Sequence, residues 1–417
     1  MTKTKQATRR RILLIIPYGS VGGMERLAFN MYQHYQALGD TVKVVKVVGL
    51  DNDIVNFGKD EIVLSRKDLV ELKPARRYWF YLTIPFAIAR AVRKYGITHS
   101  IAFGDVANLF SSLSPSQEFK VASIHSFKSV ELAANTVLNR LTKLAYRTTY
   151  RRFKRVVCIS RAIHEDLIKK CRYAFTQNLE IIYNPHNVAG IQQAALEEID
   201  HSEEELFSQK TVIFLGRLTG VKAPWHLIKA FRALLKRGVQ ARLLIIGDGD
   251  PVVSNNARDQ VVQYGISESV MFLGRRSNPY KYLARGDVLA LSSHYEGTPN
   301  VIVEAIALGV PVVSSHCTDG IVELMNTPDD TKLETPVELD AGILTPPLSG
   351  GWSDTESQDE ELSPAEAAFS DALYTVLDNP DYRTSLIKKR EQLLEKFDLA
   401  GSAEAYLAPS VQQGRAR

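Results

Sequence analysis

The chain has 417 residues, 45% of them hydrophobic and 24% charged, with a formal net charge of +4. That composition fits a soluble globular protein, and the length exceeds what one ordinary core supports, so two domains of about 200 residues each are expected. Three scattered cysteines, Cys158, Cys171 and Cys317, form no C-x-x-C pair, which argues against structural zinc and points to a reducing cytoplasm.

The first apolar run, Ile12 to Ile16 in "RRRILLIIPYGS", is ended by Pro17. It is too short for a signal-peptide core and reads as a buried first strand. Gly22, Gly23 and Glu25 follow in "YGSVGGMER", a tight turn at the end of that strand. The turn lacks the G-x-G-x-x-G spacing, which disfavours nicotinamide chemistry. Further β-branched runs alternate with helical patterns: "TVKVVKVV", "THSIAF", "KVASIH", "RVVCIS", then "TVIFLG", "ARLLIIGD", "SVMFLG", "DVLALSS" and "PVVSS". Strands apolar on consecutive positions and separated by helices indicate parallel sheets covered on both faces.

"YWFYLTIPFAIARAV" (Tyr78 to Val92) is shorter than the roughly 20 residues a membrane span needs, and it contains Arg90. The basic stretch "NRLTKLAYRTTYRRFKR" places Arg140, Lys143, Arg147 and Arg151 at a spacing that predicts one helical face. With the aromatic segment nearby, such a face suits an anionic inner-membrane surface or a polyprenyl-diphosphate-linked acceptor; no nucleic-acid motif accompanies it. Charge is divided along the chain: 30 Lys and Arg stand against 14 Asp and Glu up to Tyr183, and 21 against 33 after it. The basic half is expected near an anionic partner.

The α/β series restarts after "LEIIYNPHN". The predicted organisation is a doubly wound domain over residues 1–190, a polar linker over 191–210, a second doubly wound domain over 211–385 and a C-terminal helix within 386–417 that returns to the first. "SGGWSDTESQDEELS" reads as a solvated surface insertion.

"HYEGTPNVIVEAIALGVP" carries the sharpest signal. Thr298 and Pro299 predict a helix start, and the following helix is apolar around nearly its whole circumference except at Glu304. A carboxylate buried there needs donors, from a structural Arg or from a ligand's hydroxyls. Glu296 lies just before the helix, so two acids bracket an N-terminus that favours an anion. A diphosphate flanked by two sugars satisfies both features.

The spacing of Glu296 and Glu304, seven residues between them, within "LSSHYEGTPNVIVEAIALGVPVVSSHCTDGIVEL" resembles the signature of retaining glycosyltransferases of family 4, which have the GT-B fold. "FLGRLTGVK", "YGSVGGMER", "LLIIGDGD" and "VMFLG" resemble further segments of that family in the expected order. The resemblance implies two Rossmann-like domains facing a cleft. It further implies that Glu304 holds the nucleotide ribose, Glu296 the donor sugar, and Arg217 and Lys222 the departing diphosphate. Thr298, Pro299, Asn300, Val301, Gly216 and Gly247 would line the donor nucleotide, His125 would touch the donor sugar, and Gly22, Gly23 and Glu25 would face the acceptor. No metal and no cofactor are expected. The expected donor is a nucleotide diphosphate sugar, with UDP-hexose or UDP-N-acetylhexosamine favoured. The expected acceptor is a glycan or a polyprenyl-diphosphate-linked glycan of capsule, O-antigen or lipopolysaccharide, met at the inner face of the cell membrane. A sugar-nucleotide epimerase or phosphorylase on the same fold, and a nucleotide-sugar-binding regulator, stay open. A glycosidase would leave Arg217 and Lys222 without a task.

Overall fold

The structure is a computed structural model, and it describes residues 9–18, 23–51, 53, 55–69, 71–134, 136–326, 336–350 and 361–408. The chain divides into two compact units, one made of Met1–His186 with Lys396–Arg417, the other of Asn187–Glu395.

The first unit holds β1 (Arg11–Ile16), α1 (Gly23–Ala37), β2 (Thr41–Val48), β3 (Glu61–Ser65), α2 (Pro74–Tyr95), β4 (His99–Phe103) and α3 (Gly104–Leu113). It continues with β5 (Phe119–Ile124), α4 (Lys128–Glu131), α5 (Val137–Ala145), β6 (Arg155–Cys158), α6 (Arg161–Lys169) and β7 (Leu179–Ile181). The strands pair in the order β3-β2-β1-β4-β5-β6-β7, parallel throughout. Ile12 to Ile16 are fully buried, as a strand covered on both faces requires.

The second unit repeats the pattern with α7 (Val188–Ala195), β8 (Lys210–Leu215), α8 (Pro224–Lys236), β9 (Ala241–Ile246), α9 (Pro251–Gln263), β10 (Val270–Gly274) and α10 (Tyr280–Leu283). After these come β11 (Val288–Leu291), α11 (Asn300–Leu308), β12 (Val312–Ser315), α12 (Asp319–Met325), β13 (Val337–Leu339), β14 (Gly342–Thr345), α13 (Pro364–Asp378) and α14 (Asp381–Leu394). Its sheet order is β10-β9-β8-β11-β12-β14-β13, with only the edge strand β13 antiparallel.

The last helix, α15 (Leu399–Leu407), belongs to the first unit. Tyr406 is fully buried with its hydroxyl 2.8 Å from Ser123 Oγ, and Tyr35 donates to the Ala403 carbonyl at 2.7 Å. The chain therefore leaves the first sheet, builds the second, and returns to complete the first core. Residues 191–210 are not an extended tether. Ile191 is buried, α7 packs on α10 and α11, Gln192 donates to the Ala307 carbonyl at 3.0 Å, and a 3-10 turn spans His201–Phe207. Most of the predicted solvated insertion, residues 351–360, lies outside the described residues.

Candidate active site

In an open parallel sheet, ligands collect at the carboxyl ends of the strands where the strand order reverses. In the second unit that point lies between β8 and β11. Gly216 and Arg217 follow β8, and Ser292 to Glu296 follow β11. Lys222 Nζ is ion-paired with Glu296 Oε1, with both side chains largely buried, and Ser293 donates to the same carboxylate oxygen at 2.9 Å. The backbone draws the two turns together: the His294 amide donates to the Val221 carbonyl at 2.8 Å, and the Ser292 hydroxyl lies 3.0 Å from the Ala223 carbonyl. Ala223 takes a left-handed backbone (φ 43°) that costs a non-glycine residue free energy, and Pro224 then opens α8. The contacts of Ser292 and His294 hold this conformation in the turn that presents Lys222.

Gly216 lies alongside the Lys222 side chain; a Cβ there would stand 3.6 Å from Lys222 Cε. Gly247 has φ 138°, and a Cβ on it would stand 2.0 Å from the Gly216 carbonyl oxygen, so only glycine fits. Arg217 is exposed beside this glycine contact.

Helix α11 begins at Asn300 with Pro299 as its N-cap, one residue later than the sequence predicts, and no side chain caps it. The reason is local: Pro299 is extended (φ −68°, ψ 109°), and the Thr298 hydroxyl is buried without a hydrogen-bond partner instead of capping. The first-turn amides of Asn300 and Val301 thus form an end favourable to an anion. Every residue from Val301 to Ala307 is buried, Glu304 included, and Tyr280 donates to Glu304 Oε1 at 3.1 Å. One donor to Glu304 is thus a tyrosine on α10.

A second layer of polar contacts supports the Glu296 turn, and sequence reasoning left it without a role. His226 on α8 places Nδ1 2.6 Å from Glu366 Oε1 and Nε2 2.9 Å from His294 Nε2. Burial alone would raise the Glu366 pKa, but the His226 contact, the Ser363 amide and the nearby Lys229 charge outweigh it and hold the carboxyl at about 2. Burial, with the neighbouring His226 charge, pushes His294 below the usual histidine range. The capping box of Ser363 and Glu366 opens α13, so the chain α13–His226–His294 ties a helix end to the turn bearing Glu296. A capping-box pattern was readable in sequence; its link to residue 294 was not.

In the first unit the order reverses between β1 and β4. Gly22 lies outside the described residues, Gly23 starts α1, and Glu25 is buried. A Cβ at Gly104, where φ is 78°, would meet the Met24 sulfur at 2.8 Å, which brings the start of α1 against the end of β4. His125 follows β5; burial, aided by the Lys128 charge, lowers its pKa to about 3, and its Nε2 is buried without a hydrogen-bond partner. Next to it, Lys128 is 2% exposed and donates to Asp105 (2.9 Å), Ser126 (2.7 Å) and Glu131 (2.6 Å). The structure brings Gly216, Lys222 and Glu296 together in one unit, and His125 with the Asp105–Lys128–Glu131 cluster in the other.

The predicted basic helical face is corrected. Arg140 and Lys143 lie on α5, but that helix ends at Ala145; Arg147 falls in a turn and Arg151 in the 3-10 turn Thr149–Arg152. Beyond the helix end, Tyr146 and Tyr150 are both fully buried and pack edge to face, ring centroids 4.8 Å apart. Among the described residues no group of three or more His, Cys, Asp or Glu side chains is arranged to hold a metal ion.

Comparison with known proteins agrees with this fold. Residues 21–189 match a domain model described as Glycosyltransferase Family 4, and residues 209–346 match one described as Glycosyl transferases group 1. The chain is 25% identical to an uncharacterized glycosyltransferase of Methanocaldococcus jannaschii over 72% of its length and 75% of that protein. It is 32% identical to an N-acetylgalactosamine-N,N'-diacetylbacillosaminyl-diphospho-undecaprenol 4-alpha-N-acetylgalactosaminyltransferase of Campylobacter jejuni over 42% of its length and 44% of that protein. It is 25% identical to a lipopolysaccharide 1,6-galactosyltransferase of Salmonella typhimurium over 52% of its length and 58% of that protein. The fold is shared with Anabaena HepE in complex with UDP (TM-score 0.70, 18% identity, 95% of this chain and 98% of that one). It is also shared with the sucrose-phosphate synthase of Thermosynechococcus elongatus (TM-score 0.71, 16% identity, 95% and 97%).

Proposed function

On a GT-B fold carrying a Glycosyltransferase Family 4 domain and a Glycosyl transferases group 1 domain, the chain is a glycosyltransferase, and we propose that it is a retaining, metal-independent one. In this reading it moves a hexose or N-acetylhexosamine from a uridine diphosphate sugar to a glycan or lipid-linked acceptor of cell-surface polysaccharide, in the cytoplasm. The observation that carries it is the Lys222–Glu296 pair at the strand-order reversal, in the turn leading to the uncapped start of α11.

Lys222 and Glu296 neutralise each other in this structure. A donor diphosphate competes for Lys222 and for the α11 amides, which releases the Glu296 carboxylate to accept hydrogen bonds from the sugar. As the glycosidic bond breaks, negative charge grows on the diphosphate, and Lys222, exposed Arg217 and the helix end stabilise it without a metal. Glu304, buried and hydrogen-bonded to Tyr280, is held ready for the ribose hydroxyls. Uridine as the base is supported by the UDP complex of the Anabaena protein, and a surface-glycan acceptor by the Campylobacter and Salmonella transferases.

Thermal melting in the presence of UDP, GDP and ADP sugars tests the reading. A cognate donor at about 100 times its dissociation constant should stabilise the native state by about 2.7 kcal/mol. The product's anomeric configuration then reports retention. No shift with any nucleotide sugar, or an inverted product, would overturn the proposal.

A further inference from the structure

Two helices of the first unit expose apolar faces that a globular surface ordinarily buries. On α2, Ile84, Pro85 and Ile88 are buried, while Trp79 is 71%, Leu82 63% and Phe86 68% exposed. Their spacing of three and four residues puts all three on one side of the helix. On α5, Thr142 and Ala145 are buried, while Val137, Leu141 and Leu144, again at helical spacing, are exposed.

The two faces share one layer. The connections β3-α2-β4, β4-α3-β5 and β5-α5-β6 all run the same way along the sheet, so right-handed crossovers put α2, α3 and α5 on the same side. Both α2 and α5 pack against α3.

Charge selects the occupant. Neither helix contains an acidic residue; α2 carries Arg76, Arg77, Arg90, Arg93 and Lys94, and α5 carries Arg140 and Lys143. A second copy of this chain pairing through the same face would set like charges against one another. Among the described residues no helix is long and apolar enough to cross a membrane, so α2 can lie on a bilayer but not span it.

We propose that α2 and α5 form a membrane-docking face, in which Trp79, Leu82 and Phe86 insert at the headgroup boundary of an anionic bilayer, Leu141 and Leu144 rest on it, and the arginines and lysines hold lipid phosphates. Arg147 and Arg151, exposed just beyond α5, extend the basic rim. The inference rests on exposure and charge within the first unit and holds whatever donor the second unit takes.

The full chain is sedimented with phosphatidylcholine vesicles, with and without phosphatidylglycerol. Binding is expected only to vesicles with the anionic lipid, with a blue shift of tryptophan emission that the Trp79→Phe variant lacks. The triple variant W79S/L82S/F86S and the double variant R140E/K143E should each weaken binding by about tenfold or more. These side chains are exposed, so both variants should melt like the parent, and transfer to a water-soluble acceptor should be unchanged; loss of that transfer in the parent with vesicle binding intact would count against the glycosyltransferase reading alone. The docking proposal is overturned by equal binding to both vesicle types, by no binding to either, by full binding of the triple variant, or by a parent dimer that the triple variant dissociates.

Discussion

The two units have the same winding, seven strands each with the order reversing beside the first strand, yet they handle charge at the strand ends in opposite ways. In the first unit, Lys128 is buried and surrounded by Asp105, Ser126 and Glu131, so its three ammonium protons all have partners inside the protein. In the second, Lys222 pairs with Glu296, which also accepts from Ser293, in the turn before a helix end that no side chain caps. A saturated cluster fixes local structure, whereas in the proposed reading a donor diphosphate would separate the Lys222–Glu296 pair. The two lysines thus differ in how many partners each one already has.

Substitutions in the two places should separate these roles. Lys128→Met leaves Asp105 and Glu131 without their cation and should cost about 3–5 kcal/mol of stability, read by denaturant unfolding. Loss of activity without loss of stability would break the comparison. Glu296→Ala should do the reverse, lowering kcat/KM by about 10²–10³-fold with little change in melting temperature. Lys222→Ala should have an effect of the same order, and the double variant should fall well short of the product of the two, because each removes the same pair.

Gly247→Ala forces a Cβ to within 2.0 Å of the Gly216 carbonyl oxygen at φ 138°, so the turn must shift. The expected cost exceeds about 1 kcal/mol in stability, with weaker donor binding measured by calorimetry, since the displaced turn carries Arg217. His294→Ala should cut kcat/KM by about 10-fold while leaving unfolding nearly unchanged, if the His226–His294 contact positions the Glu296 turn.

The smallest effect concerns acid. Glu366 is held at about 2, below the ordinary 4.5, so its contribution to stability is complete above pH 4.5 and is lost as pH falls through about 2. Glu366→Gln should therefore be less stable at neutral pH and show a shallower decline between those values. An unchanged slope in pH-dependent unfolding would remove the carboxylate from the His226–His294 chain.

Much of the candidate site was legible because its parts are contiguous. A buried helix with one acid, an acid eight positions earlier, and a glycine followed by Arg217 and Lys222 are patterns of a few residues, though α11 starts one residue later than its pattern predicts and Thr298 does not cap it. The basic face was less legible: Arg140 and Lys143 lie on α5, but the helix stops at Ala145 and the chain continues through a turn and a 3-10 turn that carry Arg147 and Arg151. The exposed face of α2 is in the sequence as "YWFYLTIPF", yet its pattern alone does not say which side is buried, and the structure assigns Ile84 and Ile88 to the core and Trp79 and Phe86 to solvent.

By itself the sequence determined two parallel-sheet series and the buried character of α11, because burial recurs with the period of a strand or helix. Only the tertiary structure decided what those residues touch. Lys222 meets Glu296 across 74 positions, His226 meets Glu366 across 140, and Ser123 meets Tyr406 across 283, which returns α15 to the first core. Such pairings are set by how sheets stack and where crossovers land, and no local period encodes them.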